Sequence, residues 1–203
     1  SDVSSPKWGK GKEILFTHED GSKTSLRIFE GSSFAAIHTS IHNGGKELLK
    51  IKSLEVLNMD INLGDAKLVS YGTGGLKNSA AGPGSYAFHA HADPETRNGV
   101  VAAWLTHDRG VGMLFPGEKD GKASLKAQLD FGLYQVKPGE TRQTDTLLIG
   151  YFDDARIGLE SYASAVARHY DIKLKPKPGV YCTWYHSGAS SETKIAENTQ
   201  FAA

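Results

Sequence analysis

Cysteine is nearly absent: Cys182 stands alone among 203 residues. That excludes an internal disulfide framework and a cysteine-rich zinc site. Net charge is lacking as well, because 23 Lys and Arg balance 23 Asp and Glu. Without a basic stripe or a polybasic cluster, the chain has no electrostatic footprint for nucleic acid or for an anionic membrane. No apolar run approaches the roughly 18 to 20 residues of a spanning helix. Disorder is excluded too, since hydrophobic residues make up 39% of the chain and can supply a sizeable core. The opening Ser1-Asp2-Val3-Ser4-Ser5 has no methionine, as in a processed or trimmed chain. A removed signal peptide gives the expectation of a periplasmic or secreted protein, and a cloning boundary explains the same opening equally well.

What is present is period-two alternation from Glu13 to about Gly150, punctuated by Gly, Asn and Asp. Strands are expected at Glu13–His18 and Thr24–Phe29, joined by a His-Glu-Asp-Gly-Ser turn. Phe34–His42 follows, with Ile37, Thr39 and Ile41 on one face and His38, Ser40 and His42 on the other. Ile51–Leu63 is a longer strand whose register blurs around Leu54, Val56 and Leu57-Asn58-Met59, which predicts a bulge. Tyr71–Ser85, rich in Gly, Ser, Ala and Asn, reads as a long loop. Strands resume at Tyr86–Ala92, Val100–His107, Gly112–Phe115, Ala123–Leu129 and Thr144–Tyr151. So many short strands without intervening helices indicate a mainly β protein, an antiparallel β-sandwich spanning residues 1–152.

The period changes at Asp153. Asp153 or Asp154 can cap a helix in which Leu159, Tyr162, Ala163, Val166 and Tyr170 recur at three- and four-residue spacing. The run Lys173-Leu174-Lys175-Pro176-Lys177-Pro178-Gly179 then reads as a linker, because closely spaced prolines suit neither a helix interior nor a central strand. Residues 153–178 thus form a linker helix and a proline-rich linker. Val180–Tyr185 reads as a short strand, and a helix capped by Ser190 or Ser191 is expected from Glu192 to Ala203. A lone strand–helix unit cannot bury its own face, so residues 179–203 are expected to belong to a second domain that is cut short.

The segment Lys175–Asn198, with its proline-rich lead, its Cys182-Thr183-Trp184-Tyr185 strand and a helix opening near Ser191-Glu192, resembles the start of the catalytic barrel in α-galactosidase-type (melibiase-like) glycoside hydrolases of the family 36/27 clan. The helix around Gly158-Leu159-Glu160-Ser161-Tyr162-Ala163 also looks like their linker helix. The explicit similarity covers about the last fifty residues. It implies a supersandwich-like N-terminal domain followed by the first β/α unit of a truncated (β/α)8 barrel. It implies a retaining mechanism by two aspartates on later barrel strands, which this chain does not contain. No catalytic residue, no metal and no cofactor are therefore expected here, and the chain is expected to be inactive alone. Its carbohydrate partner would be met through the complete enzyme, with a homo-oligomer possible. Trp184 matches the tryptophan that lines the sugar subsite, where an indole stacks on a pyranose ring; core packing is the competing role. Val180-Tyr181 replaces the usual Gly-Trp, which leaves the sugar open.

Other residues are weaker candidates. His89 and His91, with Asp93 in phase, suit a transition metal, supplemented by His38 and His42; the competing reading is solvated or interfacial histidines. Trp8 and Trp104 are candidate glycan platforms, although Trp104 sits in an apolar run and Trp8 near an end expected to be flexible. Gly72-Thr73-Gly74-Gly75 lacks the Lys-Ser/Thr and the helix of a phosphate loop. His186 and Ser187 lack a nucleophile-elbow pattern. Three roles thus stand side by side: glycoside hydrolase fragment, free-standing carbohydrate-binding sandwich, and structural or oligomerisation module.

Overall fold

The structure, a computed structural model, describes residues 1–64, 66–175 and 191–202. They fall into two compact units, Ser1–Ile172 and Lys173–Ala203. In the second unit the described residues include helix α2, Glu192–Ala202, whose start is held by Ser191, with its Oγ accepting from the Lys194 N–H at 3.3 Å. The expected strand Val180–Tyr185 lies outside the described residues.

The described residues of the first unit form thirteen strands and one helix. In chain order these are β1 (Asp2–Ser5), β2 (Gly9–Thr17), β3 (Lys23–Phe29), β4 (Ala35–His42), β5 (Leu49–Ile61), β6 (Val69–Gly72), β7 (Gly75–Lys77), β8 (Ser85–Tyr86), β9 (Phe88–Ala92), β10 (Gly99–Trp104), β11 (Val111–Lys119), β12 (Lys122–Val136), β13 (Thr141–Phe152) and α1 (Ala155–Tyr170). Nine strands form one sheet in the order β1-β2-β3-β4-β13-β10-β9-β6-β7, and four form a second in the order β5-β12-β11-β8. Every pairing is antiparallel.

Alternation along the strands builds two cores. Ile37, Trp104 and Leu147 from the large sheet meet Leu114, Leu125 and Leu129 from the small one. The opposite face of the large sheet presents Phe34, Val101, Leu105 and Leu148 to Ala155 and Ala165 of α1. Central strand β10 is therefore buried on both faces, which is why its sequence is a continuous apolar run rather than an alternation. Gly112 lets the small sheet approach closely, since a Cβ there would lie 2.4 Å from the Trp104 ring. Helix α1 starts where expected: the Asp154 carboxylate accepts from the Arg156 N–H, and Asp171 closes the far end in the left-handed conformation.

Two features differ from expectation. The stretch Tyr71–Ser85 is not one loop, because it carries the hairpin β6–β7 and the start of β8. These strands are short and held by backbone pairing to β9 and β11, so no side-chain alternation announces them. Strand β1 likewise goes unannounced, pairing with β2 through four residues. The bulge falls where the register blurs. Pairing jumps from Ala127–Leu57 to Gln128–Glu55 and leaves Val56 as the extra residue on β5.

Candidate functional site

The histidine pair occupies the sandwich interior. His89 and His91 pair across the sheet with Ala102 and Val100, on the face that meets the second sheet. They are 2% and 0% exposed, and their rings stand edge-on 4.7 Å apart. His91 Nε2 donates to the Ala80 carbonyl at 2.7 Å, which places its proton on that nitrogen. His91 Nδ1, both nitrogens of His89 and Trp104 Nε1 find no hydrogen-bond partner among the described residues. Burial, reinforced by the neighbouring His91, pushes His89 down to about 3. Burial lowers His91 as well, opposed by its bond to Ala80. Both imidazoles are therefore neutral at physiological pH.

This arrangement corrects the expectation of solvated or interfacial histidines. The metal constellation does not assemble either. Among the described residues, no three His, Cys, Asp or Glu groups lie together in a way that could hold an ion. Asp93 is in phase, but β9 ends at Ala92 and Asp93 turns to cap Glu95 N and Thr96 Oγ1. His38 and His42 sit on β4, with β13 and β10 between them and β9. His38 bonds Thr146 and Gln143, and His42 bonds Thr141.

Trp104 is fully buried in the inter-sheet core and offers no face to a ligand. Trp8 is not on a loose end. It is half-buried against the α1 cluster, with the Arg168 guanidinium 5.2 Å from its ring centre. Gly72 to Gly75 form a tight hairpin, with Gly72 and Gly75 paired and Gly75 at φ +84°. Trp184, His186 and Ser187 lie outside the described residues.

Sequence reasoning missed Asp145. Its carboxylate is 1% exposed and accepts from Thr106 Oγ1 and from the backbone N–H groups of Asp108, Arg109 and Gly110, at 2.8 to 3.0 Å. A buried anion served by four donors is a structural nest that pins the turn between β10 and β11 to β13. The signal is faint, because Asp145 sits in the polar half of its strand, Thr141-Arg142-Gln143-Thr144-Asp145-Thr146, before the apolar Leu147-Leu148-Ile149. No described constellation supplies the paired carboxylates, the activated nucleophile or the metal that bond cleavage needs.

No protein-family model and no curated protein sequence matches the chain. Solved structures match its fold. The α-galactosidase of Lactobacillus brevis superposes with a TM-score of 0.60 at 11% identity, over 82% of this chain and 26% of that one. A GH36 α-galactosidase of Geobacillus stearothermophilus in complex with raffinose gives 0.55 at 16% identity, over 87% of this chain and 28% of that one. The galactosidase domain of an α-galactosidase–sucrose kinase gives 0.53 at 13% identity, over 75% and 25%. The chain thus spans about a quarter of the length of these α-galactosidase structures. Its antiparallel, mainly β fold is one that GH36 α-galactosidases carry within a much longer chain.

Proposed function

We propose that this chain is the non-catalytic N-terminal β-sandwich of a retaining glycoside hydrolase acting on α-galactoside-like glycans. In this reading the sandwich braces the catalytic barrel and borders its active-site mouth. Residues 179–203 begin that barrel, and Trp184 lines the sugar subsite. The carrying observation is the fold shared with α-galactosidases over most of this chain. The resemblance of Lys175–Asn198 to the barrel entrance supports the same reading independently. Retention requires two carboxyl groups roughly 5 to 5.5 Å apart across the sugar, placed on the C-terminal ends of several barrel strands. The experiment is to establish the mass and reading frame of the native gene product and assay both forms on nitrophenyl glycosides. A longer product that cleaves the α-galactoside, beside an inert 203-residue chain, is expected. A native product ending at Ala203, or a longer one inert on every glycoside, would overturn the reading.

A structural or oligomerisation role has its own observation in favour. Ile14, Phe16 and Ile28 lie on the inward face of β2 and β3, aligned with Leu26, yet remain about half exposed. The four-stranded sheet leaves that part of the larger sheet uncovered.

A further inference from the structure

The histidine pair of β9 lies beneath a strap. Between β7 and β8 the chain runs from Asn78 to Gly84, and Ala80 is the one buried residue of that stretch. The Ala80 carbonyl accepts from His91 Nε2 at 2.7 Å. Gly82 lies over Ser70, the partner of His91 on β6, and a Cβ there would stand 3.3 Å from Ser70 Oγ. Ser85 closes over the other ring. A Cβ on Gly72, the partner of His89 on β6, would meet Ser85 Oγ at 2.4 Å and His89 Nδ1 at 3.1 Å.

Little besides the histidines holds this strap down. Its end at β8 pairs with β11 through Ser85 and Tyr86 alone, whereas β12 is paired along most of its length with both β5 and β11. Ser85 Oγ accepts from the Thr73 N–H at 2.9 Å and donates to the Phe88 carbonyl, and Ser79 Oγ donates to Glu118 at 3.4 Å on the surface. Few buried contacts and an exposed backbone are the marks of a segment that opens before the whole domain does.

No charge is at hand to receive a protonated ring. The residues set around the pair are Ser70 and Gly72 on β6, Ala80, Gly82 and Ser85 on the strap, Val100, Ala102 and Trp104 on β10, and Leu114 on β11, all of them uncharged. Helix α1 covers the opposite face of the sheet, and the charged Lys77 and Glu118 beside the strap are exposed. His91 is the titratable neighbour acting on His89, and it opposes protonation. Among the described residues, neither nitrogen of His89 nor Nδ1 of His91 has a partner, so an imidazolium here carries N–H donors without an acceptor. Water must reach it. Lifting the strap admits water at a small loss of strand pairing, whereas parting the two sheets dismantles the core.

We propose that residues 78–85 form an acid-released strap, which seals the histidine pair at neutral pH and lifts from the end of the sandwich when a ring takes up a proton. The device belongs to the sandwich alone and does not depend on the hydrolase reading. In the lifted form the rings regain the ordinary histidine value near 6.5, against about 3 for His89 beneath the strap. Because the closed form holds the lowered value, it is fully favoured above pH 6.5 and loses ground as the pH falls. From pH 7 to pH 5 the lifted population rises about 25-fold through His89 alone, and His91 adds to the rise.

Amide hydrogen exchange of the 203-residue chain at pH 7, 6 and 5, normalised to intrinsic rates, tests this. Amides of residues 70–86 are expected to be less protected than those at the centres of β4 and β13, and to lose protection about 25-fold or more between pH 7 and pH 5. In His89→Leu that loss should shrink by about 25-fold. Protection across residues 70–86 that ignores pH, or that equals the protection of β4 and β13 at every pH, would mean that only global unfolding admits the proton, and would overturn the strap. An undiminished loss in His89→Leu would overturn it as well. If that variant misfolds, the wild-type exchange map decides by itself. Hydrolysis of nitrophenyl glycosides by a longer gene product is a separate readout, so either proposal can fail without the other.

Discussion

Replacing His89 by leucine isolates the energetic consequence of the buried imidazoles. An unfolded histidine titrates near 6.5, whereas His89 in the folded chain is held down to about 3. Between those values the unfolded chain binds one more proton than the native one. Stability is therefore complete above about pH 6.5 and falls as the pH drops, by about 1.4 kcal/mol per pH unit. Lowering the pH from 7 to 5 removes about 2 kcal/mol through His89 alone, a large part of the roughly 5 to 15 kcal/mol that hold a domain together. His91, shifted in the same direction, steepens the loss. Glu13, Asp20, Asp93 and Glu140 also have lowered values, but they withdraw their contribution only below the ordinary carboxylate range near 4. Urea titrations of the wild type and His89→Leu at pH 7, 6 and 5 read the difference directly. The variant should match or exceed the wild type at pH 7, because it removes two unpartnered nitrogens. At pH 5 its loss relative to pH 7 should be smaller by about 2 kcal/mol. An equal loss in both proteins would refute the argument that the interior rejects an imidazolium.

Three further substitutions probe the packing. Asp145→Ala leaves the buried Thr106 hydroxyl and three backbone N–H groups of the exposed turn without their acceptor and should cost about 2 to 3 kcal/mol by chemical denaturation; a cost below about 1 kcal/mol would show that water takes the place of the carboxylate. Gly158→Ala sets two effects against each other. Helix propensity favours alanine by about 1 kcal/mol, yet its Cβ would lie 2.6 Å from the Phe152 ring and 2.8 Å from Val101 Cγ2. Overpacking should win by about 1 to 2 kcal/mol, lowering Tm, and a raised Tm would show that α1 can shift outward. Tyr162→Phe removes the hydroxyl that donates to the Trp104 carbonyl at 2.9 Å and should cost about 1 kcal/mol in a urea titration, with an unchanged midpoint as the refuting result.

How far the sequence carried depended on whether a side-chain pattern or a distant neighbour set the structure. Ile37, Thr39 and Ile41 announce an inward face because one side of β4 meets the core. Asp154 announces a helix start because capping is local. The histidines of β9 were misjudged because alternating polar residues on a strand ordinarily face water. Here both faces of β9 are covered, one by the second sheet and one by α1, and only topology shows that. The ordered setting of Trp8 was illegible for a related reason, since Lys7 and Asp171, which tie its turn to the end of α1, are 164 positions apart in sequence. Asp145 does not stand out among Gln143, Thr144 and Thr146, and its donors come from a turn that folds back onto it from residues 106–110.

The position of β13 sets an order of events. It lies between β4 and β10 and is the last strand of the sandwich to leave the ribosome. Until Thr141–Phe152 are available, β1–β4 and the β10-β9-β6-β7 group are two separate pieces, each with an unpaired edge. Joining them closes loops of about a hundred residues between β4 and β13, a topology that belongs to the slow, millisecond-to-second class of folding. Truncations that stop short of Phe152 are therefore expected to aggregate rather than to yield a smaller stable core, and chaperone demand should peak just before β13 emerges.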